Sequence, residues 1–125
     1  MSFDADVGLT PVSRVAIVTA LAVERASLAR ELHRNGGGWH VLQSGPGPER
    51  AAQVARTALA GGAAALVSWG LVGALDASLA AGDVVLPRRV LRAGAAAVFA
   101  DPVWHARLAA LDGFRTTHGD LLTVA

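Results

Sequence analysis

The chain has 125 residues and a formal net charge of +1, and 53% of its residues are hydrophobic against 17% charged. This length allows one domain at most, and the apolar content is sufficient for a packed core, which excludes an intrinsically disordered chain. The absence of cysteine excludes disulfide bonds, thiolate catalysis and zinc–thiolate sites.

The first part of the chain alternates short apolar runs with a helical segment. Residues 1–13 are expected to form a flexible tail. Residues 14–19 (RVAIVT) are apolar and β-branched, which is typical of a buried strand. Leucine and alanine at helical spacing predict a helix over 21–34, which the glycines at 36–38 end. Residues 39–43 (WHVLQ) predict a second strand.

A proline-containing turn and a second helix follow. The turn occupies residues 44–48, and Pro48 suits the first position of a helix that runs to about residue 60. Residues 64–69 (AALVSW) predict a third buried strand. A loop punctuated by glycine then extends over 70–82.

The second half of the chain carries weaker signals. Residues 83–86 (DVVL) predict a strand, whereas 90–100 is ambiguous between a strand and an Ala-rich helix. The Asp-Pro pair at 101–102 is typical of a helix start and predicts a helix over 103–111. Residues 119–125 predict a last strand.

The order of elements predicts the fold. Alternation of strands and helices indicates an α/β fold, a three-layer sandwich with a mostly parallel central sheet covered on both faces. The last predicted strand has no element after it to cover it. We therefore expect the chain to be a truncated piece of a larger domain.

An acidic residue follows the first predicted strand by about one helical turn. Ligands of parallel α/β sheets bind outside the carboxyl ends of the strands, where Glu24 is expected to lie. A carboxylate there accepts a proton from water or holds a sugar hydroxyl. The alternative is a glutamate that merely stabilises the N-terminal end of a helix dipole.

The second strand is followed by the turn Gln43-Ser44-Gly45-Pro46-Gly47. Backbone amides at the start of the next helix are suited to binding an anion. The two prolines at 46 and 48 each remove one amide, and the turn matches neither of the common glycine-rich phosphate motifs. A tight turn without ligand is the alternative.

The third strand runs directly into two glycines. The segment 68–76 reads SWGLVGALD, with Gly70 and Gly73 separated by two apolar residues. Glycine at such a place lets the backbone approach a ligand closely, or merely lets the chain turn sharply. A re-entering strand starts with Gly82-Asp83-Val84-Val85.

Taken in order, four segments resemble the purine nucleoside phosphorylase and methylthioadenosine/S-adenosylhomocysteine nucleosidase superfamily. Residues 15–24 resemble its first strand and acidic residue, 44–47 its Ser-Gly-x-Gly turn, 68–73 its glycine-rich stretch, and 82–85 the following strand. The variant of these motifs is most similar to the hopanoid-associated phosphorylases. The resemblance makes 14–125 the N-terminal part of a nucleoside phosphorylase domain.

The resemblance implies roles for individual residues. Glu24 would be catalytic: it would activate the attacking water in a nucleosidase, or arrange the ribose or phosphate in a phosphorylase. The implied substrate-binding residues are Thr19, Ser44, Gly45, Ser68, Gly70, Leu71 and Gly73.

Three of these positions depart from the family pattern. Leu71 stands where many members have a serine, so a hydroxyl contact is lost. Ser68 stands where bacterial hexameric phosphorylases carry a phosphate-binding arginine. Thr19 replaces a common glycine or cysteine, and its hydroxyl is within reach of an anion in this interpretation.

The expected function is therefore that of an enzyme that cleaves the N-glycosidic bond of a purine, adenosine-like nucleoside, with a place in hopanoid biosynthesis. Phosphate is the expected co-substrate if the reaction is phosphorolysis, and no other cofactor is expected. The family's later ribose-binding stretch and its purine-protonating aspartate have no counterpart here. The alternative is a catalytically incomplete α/β domain that binds a nucleoside or a protein partner.

The remaining composition bears on partners and location. All eleven basic residues are arginine and most are scattered, which argues against nucleic acid as a partner. The four histidines are too dispersed to predict a metal site. No apolar run reaches transmembrane length, and no signal peptide is evident, so a cytoplasmic protein is expected. The resemblance and the uncovered sheet edge favour a homo-oligomer.

Overall fold

A computed structural model describes residues 15–34, 39–113 and 115–123. The predicted tail at 1–13 lies outside the described residues. The chain divides into two compact units, 1–72 and 73–125. Within the described residues there are three helices and eight strands, and most strand pairs are parallel, which confirms the predicted α/β class.

The first unit contains the predicted alternation of strands and helices. Its elements are β1 (Val15–Thr19), α1 (Ala22–Arg34), β2 (Trp39–Gln43), α2 (Pro48–Ala60) and β3 (Ala65–Ser68). Each element lies within one or two residues of its predicted bounds. The apolar, β-branched runs became strands, and the alanine-rich segments between them became helices.

The three strands form one parallel sheet with β1 in the middle, in the order β2-β1-β3. The chain moves from β1 to β2 in one direction and from β2 to β3 in the other. Because crossovers between parallel strands are right-handed, this reversal places α1 and α2 on opposite faces of the sheet.

Burial along β1 agrees with a sheet that is covered on both faces. Side chains of a strand alternate between faces, so Val15 and Ile17 point to one face and Ala16 to the other. Val15 and Ala16 are fully buried and Ile17 nearly so. Ala16 clusters with Ala58 of α2 and with Ala63, where small side chains let the helix approach the sheet closely.

The second unit contains shorter elements. They are β4 (Val84–Val85), β5 (Arg89–Arg92), β6 (Val98–Phe99), α3 (Pro102–Ala109), β7 (Thr116–Thr117) and β8 (Leu121–Thr123). Strand β4 pairs with β7 in parallel. Strand β5 pairs with β6 in antiparallel fashion and with β8 in parallel, in the order β6-β5-β8.

The structure settles the ambiguous segment and confirms the helix start. Residues 90–100 contain the end of β5 and all of β6, with no helix. The Asp101 carboxylate accepts hydrogen bonds from the N–H groups of Val103 and Trp104, both at 2.9 Å, as expected of a helix cap. Among the described residues, every helix is too short or too polar to span a lipid bilayer.

Candidate functional site

The strand order of the first unit changes direction at β1, the middle strand of the sheet. The connection that leaves β1 goes to β2 on one side, whereas β3 lies on the other side of β1. In open parallel sheets, ligands bind at such a switch point, in the crevice outside the carboxyl ends of the two adjacent strands. For this unit, the crevice lies beyond Thr19 and Ser68.

Glu24 occupies this position and joins the two strand ends. Its Oε1 accepts hydrogen bonds from the backbone N–H groups of Ala20 and Leu21, both at 2.9 Å. Its Oε2 accepts a hydrogen bond from the N–H of Leu71, also at 2.9 Å. Glu24 is only 7% exposed. The carboxylate is therefore more than a helix-dipole partner, because it ties the segment after β1 to the segment after β3.

These contacts stabilise the charged form of the side chain. The Leu71 N–H lowers the pKa of Glu24 most, burial opposes it by raising the pKa, and the Leu21 and Ala20 N–H groups lower it further, for a net decrease. Glu24 is thus a carboxylate at neutral pH. A carboxylate has about four acceptor positions and three are filled, so Oε2 keeps one for a further donor.

Gly70 makes the approach of the two segments possible. A Cβ atom at this position would lie 2.5 Å from Glu24 Oε2 and 2.9 Å from its Cδ. Gly70 does not have a positive φ, so the requirement for glycine is one of space and not of backbone conformation. The structure brings Glu24 and Gly70 together beyond the carboxyl ends of β1 and β3.

The predicted residues at the end of β2 are engaged with the backbone. The N–H of Ser44 donates to the carbonyl of Thr19 at 2.8 Å, and its hydroxyl donates to the carbonyl of Gly45 at 2.7 Å. The hydroxyl of Thr19 donates to the carbonyl of Leu42 at 3.2 Å, and Thr19 is 1% exposed. The bonds from the Ser44 N–H and from the Thr19 hydroxyl join β1 to β2 and the turn after it. Substrate contact by the two hydroxyls stays a prediction.

Gly45 has a φ of +81° and lies against the side chain of Arg50, which is not among the candidates predicted from the sequence. A Cβ there would lie 3.0 Å from Nη1 of Arg50. Glycine thus serves both the left-handed turn and the packing of the guanidinium. The prediction that Gly45 contacts substrate is not tested by this arrangement.

The other predicted residues follow β3. The Ser68 side chain is exposed. Leu71 contributes its N–H to Glu24, while its side chain is 77% exposed. Gly73 belongs to the second unit, and no described atom lies within 4 Å of the position of an added Cβ. No group of three or more His, Asp or Glu in the described part of the chain is arranged to hold a metal ion.

Two residues near the site were not singled out as functional from the sequence. The indole N–H of Trp69 donates to the hydroxyl of Ser27 at 3.0 Å, and that hydroxyl donates to the carbonyl of Glu24 at 2.6 Å. Ser27 lies three residues after Glu24 and therefore on nearly the same side of α1. This spacing was the available signal, but the partner on β3 is visible only in the fold.

The pH dependence of stability tests the state of Glu24. Because its pKa is lower in the folded than in the unfolded protein, Glu24 stabilises the fold fully above its unfolded value of about 4.3, and this contribution is lost as the pH falls through the folded pKa. We expect the unfolding free energy of the wild type to fall more steeply with acidification below about pH 5 than that of Glu24→Gln. Denaturant unfolding at a series of pH values measures the difference.

This comparison removes the contribution of other carboxylates. Asp76 and Asp120 also have lowered pKa values, through hydrogen bonds to Ser78 and to Arg89 respectively, but they are present in both proteins. Parallel curves for wild type and variant would show that the Leu71, Leu21 and Ala20 N–H groups do not hold an ionised Glu24.

Comparison with known proteins bears on the family of the chain. No curated protein and no solved structure matches the chain. The family model of the phosphorylase superfamily matches residues 14–120, which includes all of the elements described above except β8. The chain therefore belongs to the phosphorylase superfamily.

Proposed function

We propose that the chain forms the nucleophile side of a site that cleaves the N-glycosidic bond of a purine, adenosine-like nucleoside. The observation that carries this proposal is the position of Glu24. A buried carboxylate with a lowered pKa and one unfilled acceptor position lies at the switch point of the sheet. Membership in the phosphorylase superfamily supports phosphorylase-type chemistry in general.

The charge of Glu24 suits the reaction. When the bond from C1′ of the ribose to the purine nitrogen breaks, the bonding electrons leave with the purine and positive charge develops on the ribose. A fixed carboxylate stabilises that charge and orients a hydroxyl or water by accepting its hydrogen bond. The oxygen of water or phosphate then forms the new bond to C1′. The departing purine nitrogen takes up a proton from solvent, and an attacking water gives up one proton to solvent, so that the reaction balances.

The lowered pKa limits the role of Glu24. A carboxylate with three backbone donors is a weak base, so it accepts a hydrogen bond from the nucleophile or the ribose more readily than it removes a whole proton. Orientation of the reacting groups is then its main contribution. We assign none of the described residues to protonation of the departing purine.

The surroundings of the carboxylate favour a substrate with an apolar portion. Leu21, whose N–H binds Glu24, has a side chain that is 44% exposed, and Leu71 is 77% exposed. Trp69 next to Gly70 is 44% exposed. Exposed apolar side chains beside one fixed anion match a nucleoside that carries an apolar group at its 5′ position.

A second candidate function is nucleoside binding without turnover. It is favoured by the number of bonds that Glu24 already makes within the protein, since three of its four acceptor positions serve the fold. In this case the carboxylate would hold a ribose hydroxyl and no reaction would follow. The place in hopanoid biosynthesis stays a prediction of the resemblance, and the homo-oligomer stays a prediction of the resemblance and the uncovered sheet edge. The cytoplasmic location stays a prediction of the amino-acid sequence.

Release of the free base distinguishes these functions. We expect the chain to release adenine from adenosine or 5′-methylthioadenosine, with no release from cytidine as the control nucleoside. Chromatography of the products with and without inorganic phosphate measures the reaction. A requirement for phosphate, with a ribose 1-phosphate product, identifies phosphorolysis, whereas release that ignores phosphate identifies hydrolysis.

Equilibrium binding completes the experiment. Binding of the nucleosides without any base release supports the second candidate. Neither release nor binding, in protein whose cooperative unfolding shows that it is folded, would contradict both functions.

A further inference from the structure

A chain of two hydrogen bonds runs behind the Glu24 carboxylate. The indole Nε1–H of Trp69 donates to Ser27 Oγ, and Ser27 Oγ–H donates to the backbone carbonyl of Glu24. The hydroxyl therefore accepts and donates at once. Bonds linked in this way strengthen each other, because the donating hydroxyl becomes a better acceptor.

These two linked hydrogen bonds and the Glu24 carboxylate both hold the segment of residues 69–71. Trp69 and Leu71 flank Gly70, and the first binds Ser27 while the second binds Glu24 Oε2. The backbone N–H of Trp69 also donates to the carbonyl of Val18 at 3.0 Å, which continues the pairing of β1 with β3. Gly70 is thereby held against the carboxylate.

Packing alone does not account for Trp69. Its side chain is 44% exposed, so much of its apolar surface stays in water. A phenylalanine would also supply an apolar aromatic ring, but it has no N–H for Ser27. The property that distinguishes tryptophan here is the hydrogen bond.

We propose that Trp69 and Ser27 are positioning residues that fasten the segment after β3 to α1 and so hold the Leu71 N–H on the Glu24 carboxylate. Their effect on turnover rests on the proposed function, whereas their effect on Glu24 does not. Without the link, residues 69–71 gain freedom, the Leu71 bond lengthens, and the carboxylate loses the donor that lowers its pKa most.

Two variants remove the link from either end. Trp69→Phe keeps an aromatic ring and removes the donor, and Ser27→Ala removes the hydroxyl. In each, we expect the pKa of Glu24 to rise relative to wild type, as measured by carbon-13 NMR titration of its carboxyl. Because both changes break the same link, the double variant should show no larger rise than either single variant.

Matched controls are present in the chain. Trp39, on β2, is 39% exposed and lies opposite Val15, at the far end of β1 from the site. The hydroxyl of Thr57 in α2 donates to the carbonyl of Gln53. Trp39→Phe and Thr57→Ala are expected to leave the pKa of Glu24 unchanged.

Turnover is the second readout. If the proposed function holds, Trp69→Phe and Ser27→Ala lower kcat/KM by about three- to tenfold, the loss expected from one hydrogen bond, and shift the acid limb of the pH profile upward. An unchanged pKa of Glu24 in both variants overturns the positioning role. A raised pKa in a protein that releases no base supports positioning and contradicts only the proposed turnover.

Discussion

Replacement of Glu24 by glutamine is expected to lower kcat/KM for base release by at least about 100-fold, the lower end of the loss that follows removal of one group that stabilises charge in a transition state. Glutamine has nearly the same shape but no charge, so it neither stabilises positive charge on the ribose nor orients the nucleophile as strongly. Steady-state rates at several nucleoside concentrations measure the change. A loss in kcat with little change in KM would indicate that Glu24 acts in the transition state.

The same substitution is expected to destabilise the fold. Three backbone N–H groups converge on Glu24, whereas glutamine offers one acceptor oxygen and an NH₂ group. At least one N–H then faces a donor in a buried place, which costs about 1–3 kcal/mol of unfolding free energy. Denaturant unfolding at neutral pH measures this cost.

Glu49 provides the control for Glu24. It lies in the first turn of α2 as Glu24 lies in the first turn of α1, but it is exposed. Glu49→Gln is expected to change the unfolding free energy by less than about 0.5 kcal/mol and to leave turnover unchanged. Equal effects of the two substitutions would reduce Glu24 to a helix-dipole partner and end the active-site assignment.

Replacement of Gly70 by alanine is the second change with a large expected effect. The added methyl would lie 2.5 Å from Glu24 Oε2, closer than real contacts allow, so the carboxylate or the segment 69–71 must move. Overpacking of this kind costs about 1–3 kcal/mol. Displacement of the carboxylate by about 1 Å is expected to lower kcat/KM by about 100-fold.

Two comparisons isolate the cause. Gly119→Ala adds the same methyl where no described atom lies within 4 Å, and it should change the unfolding free energy little. In a Glu24→Ala background the methyl at position 70 has room, so Gly70→Ala should then cost less than in the wild type. An equal cost in both backgrounds would show that Glu24 does not lie against Gly70.

Much of the first unit follows from local sequence signals. The run of residues 15–19 is apolar and β-branched, and it favours a strand in any surroundings. The alanine-rich segments between the strands favour helices, and Pro48 marks the start of α2. Parallel topology then placed Glu24 and Gly70 at one sheet edge, because consecutive strands of this kind end on the same side.

The second unit was harder to predict because its elements are short. Residues 90–100 carry alanines that favour a helix, yet β5 and β6 form there. Strand β5 is fixed by pairing with β8, about thirty residues later in the chain, which no local propensity encodes. Strand β7 has two residues and was not predicted, since two threonines are too few to show the alternation of apolar and polar residues that indicates a strand.

The fold class, the family resemblance and the residue types at the candidate site follow from the amino-acid sequence, because propensity, periodicity and motif order are local properties of the chain. The contacts among those residues come from the packing of the fold. Packing directs three N–H groups to Glu24, places Gly70 against the carboxylate, and joins Trp69 to Ser27 across forty-two positions. A hydrogen bond forms only when its donor–acceptor distance is correct to within a few tenths of an ångström. Between segments remote in sequence, only packing sets that distance.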